Sequence, residues 1–326
     1  MKAITAPRPG GPEQLELVDL PNPEPGPGEL LVHVHATAVN RADVLQRRGR
    51  YPPPPGASDV LGLEMAGVIA ALGDGVAGWS VGDEVCALLP GGGYAEQAVV
   101  PAEVAMPLPP SLDLVEAAAV PEAFTTAWDN LFNRGRLASG GTVLLHGGAS
   151  GVGTAAIQLA RRRGCEVLVT AGSPRKLAFC TELGAKGGID YRECQDFDVR
   201  VGELTGGRGV DVVLDIIGGG YLARNLRCLA VEGRLVIIGL MGGASAEVDL
   251  GLMLTRRLTI TASTLRARSV EAKATLARQL VAEVWPGFAD GSLRPVIDRV
   301  LPLEKAAQAH AAMEASEHIG KIVLTV

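Results

Sequence analysis

Aromatic side chains, clustered cysteines, long apolar runs and excess positive charge are all scarce in this chain, and each shortage closes off a class of function. Only 4% of the 326 residues are aromatic, against 42 glycines and 47% hydrophobic residues. That is the profile of a compact, turn-rich α/β protein, not a disordered one. The five cysteines, Cys86, Cys165, Cys180, Cys194 and Cys228, are dispersed and none forms C-x-x-C. They read as reduced, mostly buried thiols. His33 and His35 share one face of a strand with no third ligand nearby in sequence, so they are expected to face solvent and not a metal. A net charge of −6 argues against nucleic acid as the principal partner. No apolar run approaches membrane-spanning length, and the opening MKAITAPRPG has no signal-peptide core, so a cytoplasmic protein without a membrane partner is expected. The length suffices for two domains with cores of their own.

What is present centres on residues 142–163, TVLLHGGASGVGTAAIQLARRR. An apolar run, Thr142 to His146, leads into a glycine-rich turn, and Ala155, Ala156, Ile157, Leu159 and Ala160 follow at helical spacing. Strand, tight turn and helix form the context of a dinucleotide fingerprint. Such a turn must be poor in side chains, so that the free N–H groups at the start of the helix can meet an anion. Gly148 and Gly153 hold the outer positions of G-x-G-x-x-G, and Ser150 holds the middle one. Gly151 and Val152 lie between them. A plain tight turn is the structural alternative.

A second strand is expected over Glu166 to Thr170. An NAD site would place Asp or Glu at its end to hold the ribose 2′-hydroxyl. Here the end reads Thr170-Ala171-Gly172-Ser173-Pro174-Arg175-Lys176, with no acid and two cations. A 2′-phosphate would be repelled by a carboxylate and accepted by Ser173, Arg175 and Lys176, so NADP(H) is favoured over NAD. For Arg175 a solvated surface charge is an equal alternative.

Residues 1 to 120 read as β-rich. Strands are expected at 2–6, 15–20, 30–40 and 97–100, with a short helix over 41–48. The loop 49–58, GRYPPPPGAS, is stiffened by four consecutive prolines and holds Tyr51 in a restricted place. From 122 to about 267 helix and strand alternate. The expected strands are 142–146, 166–170, 211–215, 234–238 and 258–262, with helices at 152–163, 174–183 and 219–229. That alternation predicts a doubly wound parallel sheet, a Rossmann fold. A long helix over 269–284 should stop at Trp285-Pro286, and 321–326 returns to strand.

The run Gly62-x-Glu64-x-x-Gly67-x5-Gly73-x-x-Val76 resembles the signature of the medium-chain dehydrogenase/reductase superfamily. Zinc alcohol dehydrogenases of that superfamily have His before the Glu, where this chain has Leu63, and a Cys ligand where it has Asn40. The chain is therefore similar to the zinc-free members, in particular to the NADPH:quinone oxidoreductases related to zeta-crystallin and their stress-inducible, tumour-suppressor-regulated branch. The segments that carry this include Asn40-Arg41-Ala42-Asp43, Tyr51 to Ser58, Pro121-Glu122-Ala123-Phe124, Gly239 to Gly243 and Ile319 to Leu324.

The resemblance implies a GroES-like, partly open barrel domain at 1–121 and 268–326, a Rossmann domain at 122–267, and an active cleft between them. It implies that Ser150, Gly151 and Val152 line the pyrophosphate, and that Ser173, Lys176 and Tyr191 surround the 2′-phosphate. Gly239, Leu240 and Met241 would border the nicotinamide ribose, Thr264 and Leu265 would offer backbone contacts to the amide, and Lys321 would reach back to the cofactor. Asn40, Asp43, Tyr51 and Thr126 would shape the pocket over the nicotinamide. A bland reading stands beside some of these: Tyr191 closing a turn, Met241 as core, Asp43 capping a helix. The implied partner is a second copy, paired through the strand near Leu258 to Ser263. The implied reaction is NADPH-dependent reduction of an ortho-quinone-like acceptor without zinc and without a committed acid–base residue. The alternatives are an alkenal or enoyl double-bond reductase, or a non-catalytic NADPH-binding protein of the crystallin kind.

Overall fold

The computed structural model describes residues 1–326. The chain forms two compact units, one of residues 1–125 and 265–326 and one of residues 126–264.

The strands of the first unit are β1 (Lys2–Thr5), β2 (Glu16–Asp19), β3 (Glu29–Ala38), β4 (Glu64–Leu72), β5 (Glu84–Leu88), β6 (Gln97–Pro101) and β7 (Met106–Pro107). The second unit carries β8 (Thr142–His146), β9 (Glu166–Ala171), β10 (Gly187–Asp190), β11 (Val210–Asp215), β12 (Leu229–Ile237) and β13 (Thr259–Ala262). The chain then returns to the first unit with β14 (Ile297–Pro302) and β15 (Lys321–Thr325). The helices, in chain order, are α1 (Arg41–Arg47), α2 (Leu114–Ala117), α3 (Pro121–Trp128), α4 (Gly151–Arg162), α5 (Pro174–Glu182), α6 (Phe197–Leu204), α7 (Leu222–Cys228), α8 (Leu250–Arg256), α9 (Val270–Glu283), α10 (Trp285–Ala289) and α11 (Ala306–Ala315). No helix is long and apolar enough to cross a membrane.

In the first unit a mixed sheet runs β14-β15-β3-β4-β5-β7, with β6 pairing the first half of β3, Glu29 to His33, and β15 pairing its end, Ala36 to Ala38. Strand β3 shows why it forms: Leu30, Val32, Val34 and Ala36 point into the core, while His33 and His35 are exposed. That is the period-two alternation of a sheet with one wet face. The last glycine of the signature has a steric cause. A Cβ on Gly73 would lie 1.8 Å from the carbonyl oxygen of Gly26, so no side chain fits at this crossing. The long C-terminal helix ends at Glu283, but Pro286 does not end helical structure; it sits in the first turn of α10, where its missing N–H costs nothing.

In the second unit the sheet is wholly parallel, in the order β10-β9-β8-β11-β12-β13. Every residue of β8 is buried, as expected for a strand covered on both faces. Each such Val or Leu contributes about 1.5–3 kcal/mol of burial. The chain leaves β8 toward one edge and returns to β11 beside it, so the order reverses between these two strands. Ligands of open α/β sheets bind outside the carboxyl ends of the strands at such a reversal. Three elements escaped the periodicity reading: β10, whose sequence is GGID, and helices α6 and α8. The helix expected over 219–229 is irregular at its start, a 3-10 turn over Gly219–Tyr221 followed by α7, because three glycines precede Tyr221. Strand β12 also begins earlier than expected, at Leu229.

Candidate functional site

At the carboxyl end of β8 the chain makes its glycine turn. His146, the last residue of β8, is buried and bonded to Thr170 Oγ1 (3.0 Å) and Asn225 Oδ1 (2.7 Å). Burial pushes its pKa down to about 4, so it is a neutral strut. Thr170 also supplies the carbonyl that accepts Gly148 N–H at 3.0 Å, tying the turn to the end of β9. Ser150 is the N-cap of α4, its hydroxyl accepting Gly153 N–H at 3.0 Å. Gly153 is demanded by packing: a Cβ there would lie 2.3 Å from the carbonyl oxygen of Gly147. The serine satisfies one of the free donors of α4, and the amides of Gly151 and Val152, at the first two helical positions, have no intrahelical acceptor. A helix start of this kind, with its partial positive charge, suits a phosphate.

The end of β9 continues the same surface. Ser173 is the N-cap of α5 and accepts Lys176 N–H at 3.3 Å. Lys176 is half-buried and Arg175 is exposed. Tyr191 donates its own N–H to Ala171 O (3.1 Å), and its ring stands over Gly172, where a Cβ would come within 2.5 Å of the hydroxyl. Tyr191 thus closes the strand end and still keeps part of its surface open. At the end of β11, Asp215 accepts the N–H groups of Ile217 (2.7 Å) and Gly218 (2.9 Å), and burial pushes its pKa up to about 6. The turn it shapes carries the loop after β12: Met241 N–H reaches Ile216 O at 3.2 Å and Gly242 N–H reaches Ile217 O at 2.7 Å. Leu240 and Met241 are 57% and 56% exposed, so Met241 is not core. Thr264 is exposed, and Thr126, in α3, is half-buried and gives its carbonyl to Asn130 Nδ2 at 2.8 Å.

In the first unit the remaining expected residues meet a buried charged cluster. Asn40 is the N-cap of α1, and Asp43, three residues on, accepts Asn40 N–H at 2.8 Å to complete a capping box. Asp43 is fully buried. Burial, chiefly, pushes its pKa up to about 6, opposed by the Asn40 N–H, the Lys321 charge and the Tyr94 hydroxyl. The Asn40 side chain is spent internally: Nδ2 donates to Ala38 O (3.2 Å) and Glu64 Oε1 (2.8 Å), and Oδ1 accepts from Lys321 Nζ (2.7 Å). Lys321 gives its three donors to Asn40, to Glu64 Oε1 (2.6 Å) and to Val39 O (3.2 Å). Its ammonium stands beside the carboxylate that follows Leu63, so this corner holds a buried ion pair. The second Glu64 oxygen accepts Glu122 N–H at 2.8 Å. Burial and then the Glu64 charge push the Glu122 carboxyl up to about 8, so it carries its proton at neutral pH.

Tyr51 is held by its backbone. Arg266, itself buried, donates to Tyr51 O (3.1 Å), Pro90 O (2.7 Å) and Gln46 Oε1 (2.7 Å), and its guanidinium lies 5.4 Å from the Tyr51 ring centroid. Leu265 next to it packs into the core of this unit. Sequence reasoning assigned no role to Glu64, Glu122, Tyr94, Arg266 or His310. Glu64 lay inside the signature, and the Asn40-x-x-Asp43 spacing was a capping signal, but nothing local marked the other partners.

Two families match the chain: "Alcohol dehydrogenase GroES-like domain" over residues 26–110 and "Zinc-binding dehydrogenase" over residues 151–282. The chain is 35% identical to the quinone oxidoreductase of Rattus norvegicus over 99% of its own length and 97% of the relative's. It is 39% identical over 98% of its length to the phthioceranic/hydroxyphthioceranic acid synthase of Mycobacterium tuberculosis, and spans 15% of that relative's length. Among solved structures it is similar to Escherichia coli quinone oxidoreductase complexed with NADPH, with a TM-score of 0.90, 29% identity and 100% of both chains covered. It is also similar to the apo JamJ enoyl reductase, with a TM-score of 0.89, 30% identity and 99% and 98% of the two chains covered.

Proposed function

The chain belongs to the quinone oxidoreductase family of the medium-chain dehydrogenases/reductases, and on that premise we propose that it reduces quinones of the ortho-quinone type with NADPH, without zinc. The observation that carries this reading is the strand–turn–helix at residues 142–162, whose first two helical amides have no intrahelical acceptor, followed by a strand end that holds Ser173 and Lys176 and no acid. The amides of Gly151 and Val152 hold the pyrophosphate; Ser173, Lys176 and Tyr191 hold the 2′-phosphate; Gly239, Leu240 and Met241 border the ribose. Bound NADPH supplies a hydride from its nicotinamide ring. A quinone is already electrophilic, so the protein's own work is to orient the acceptor and keep the site dry. Asn40, Asp43 and Tyr51 border the acceptor as a rigid wall, since Asn40 and Lys321 spend their polar groups on each other and on Glu64.

The likeness to an enoyl reductase favours a second acceptor class, a carbon–carbon double bond conjugated to a carbonyl. Steady-state rates with phenanthrenequinone, a 2-alkenal and an enoyl-CoA, each with NADPH and NADH in parallel, decide between them. The quinone with NADPH should be the fastest pair. A faster enoyl thioester would install the second reading, and NADPH binding with no turnover on any acceptor would overturn both. A homodimer paired along β13 belongs to the same proposal: β13 ends the sheet with one edge open, and α8 before it exposes Leu250 (67%) and Leu254 (78%). Leu254→Asp should then shift the sedimentation coefficient toward a monomer's.

A further inference from the structure

Behind Asp43 lies a run of buried polar contacts that the proposed reaction does not by itself require. Arg47, one turn further along α1, is almost fully buried and donates to His310 Nδ1 (3.3 Å), to Gly10 O (3.1 Å) and to Glu314 Oε1 (2.5 Å). His310 Nε2 lies 3.2 Å from the Tyr94 hydroxyl, and that hydroxyl lies 3.2 Å from Asp43 Oδ2. His310 and Tyr94 are both fully buried.

The direction of every hydrogen in this run follows from its first member. A guanidinium has donors and no acceptor, so His310 Nδ1 must accept. The neutral ring then carries its hydrogen on Nε2 and donates to the Tyr94 oxygen. The Tyr94 hydrogen has one place left to go, Asp43 Oδ2, which also accepts Asn40 N–H. A second proton on His310 would face Arg47, in keeping with a pKa pushed down to about 3 by burial and by that charge. The other Asp43 oxygen has no partner, so this one-way chain and the capping bond are what orient the carboxylate.

We propose that Arg47, His310 and Tyr94 are positioning residues that aim Asp43 and, through the capping box, hold Asn40 at the acceptor wall. This rests on the reading that Asn40 and Asp43 border the acceptor. The groups whose charge Asp43 feels are Lys321 on β15, Glu64 on β4, Glu122 on α3 and Arg266, besides Tyr94 itself. Tyr94→Phe removes a donor to the ionised carboxylate and leaves the rest in place.

The test compares His310→Leu, His310→Gln and Tyr94→Phe in the full chain with NADPH and phenanthrenequinone. His310→Leu and Tyr94→Phe should lower kcat/KM for the quinone roughly tenfold, the scale of one lost hydrogen bond, with KM for NADPH unchanged. The acid limb of the pH profile should move up by about one unit in Tyr94→Phe. A primary amide has both an acceptor and a donor, so His310→Gln should recover most of the loss. Nitrogen-15 NMR of labelled histidine should find hydrogen on Nε2 alone at neutral pH, whatever the acceptor turns out to be. If His310→Gln fared no better than His310→Leu, or the acid limb stayed put in Tyr94→Phe, or the spectrum placed hydrogen on Nδ1, the chain would not be a positioning device. Absence of any turnover in the wild-type protein would instead strike the proposed reaction, while the NMR result would still judge the order of the chain.

Discussion

In the second unit the turn after β8 works through what it leaves out. Gly153 cannot bear a side chain, Ser150 turns its hydroxyl inward as a cap, and what faces outward is backbone N–H. In the first unit the corner around Asn40 works through what it packs in: three carboxyl groups, an ammonium, a guanidinium, an imidazole and a phenol, linked through side chains and through the backbone N–H groups of Asn40 and Glu122. The first arrangement is local and tolerates solvent. The second is assembled from residues as far apart as Asn40 and Lys321 and depends on the absence of water. A backbone site is therefore vulnerable to added bulk, and a buried charge site to a lost partner.

Removing Lys321 should show the largest effect. Lys321→Ala leaves Glu64 as an uncompensated buried charge, a loss of about 3–5 kcal/mol. Chemical denaturation should show a midpoint far below wild type, and Lys321→Met combined with Glu64→Leu should return much of it. Next, Gly153→Val should abolish NADPH binding by fluorescence titration while leaving the first unit's near-ultraviolet signal intact, because the new Cβ falls on the Gly147 carbonyl.

The pH dependence of stability separates the two regions further. Glu122 has a folded pKa of about 8, above its ordinary 4.5, so the folded state binds the extra proton between those values and stability falls as pH rises through them. His146 and His310, with folded values near 4 and 3, act with the opposite sign and only below their ordinary 6.5. Asp43 and Asp215, with folded values of about 6, share the sign of Glu122 and are spent once the pH is well above 6. Above about pH 7.5, where the histidines are also spent, the Glu122 slope should dominate, roughly 0.5–1 kcal/mol up to pH 8.5, and Glu122→Gln should flatten it in urea titrations across that range. Smallest of all, Lys176→Ala should raise KM for NADPH about tenfold, one charged contact's worth, while leaving NADH nearly untouched.

The parts of this molecule that could be read along the chain are those whose cause lies within a few residues. The alternation in β3, the buried run of β8, the glycine turn that follows it and the missing acid after β9 each follow from neighbours in sequence; that Ser150 and Ser173 turn their hydroxyls to the starts of α4 and α5 as caps emerged only in the structure. Strand β10 escaped because GGID has neither an apolar run nor alternation; it is a strand because β9 offers it an edge. Lys321 could be picked out as a functional cation, but its target could not, because Glu64 stands 257 positions away in the chain.

Residue order alone decided the doubly wound core, the glycine turn and the preference for a phosphorylated nicotinamide, since each depends on backbone geometry that neighbouring residues impose. Only the tertiary structure decided that Asn40 and Lys321 bind each other, that Glu122 keeps its proton and that His310 carries its hydrogen on Nε2. Those outcomes depend on desolvation and on which charge lies within a few ångströms, and neither exists until the chain has closed around them.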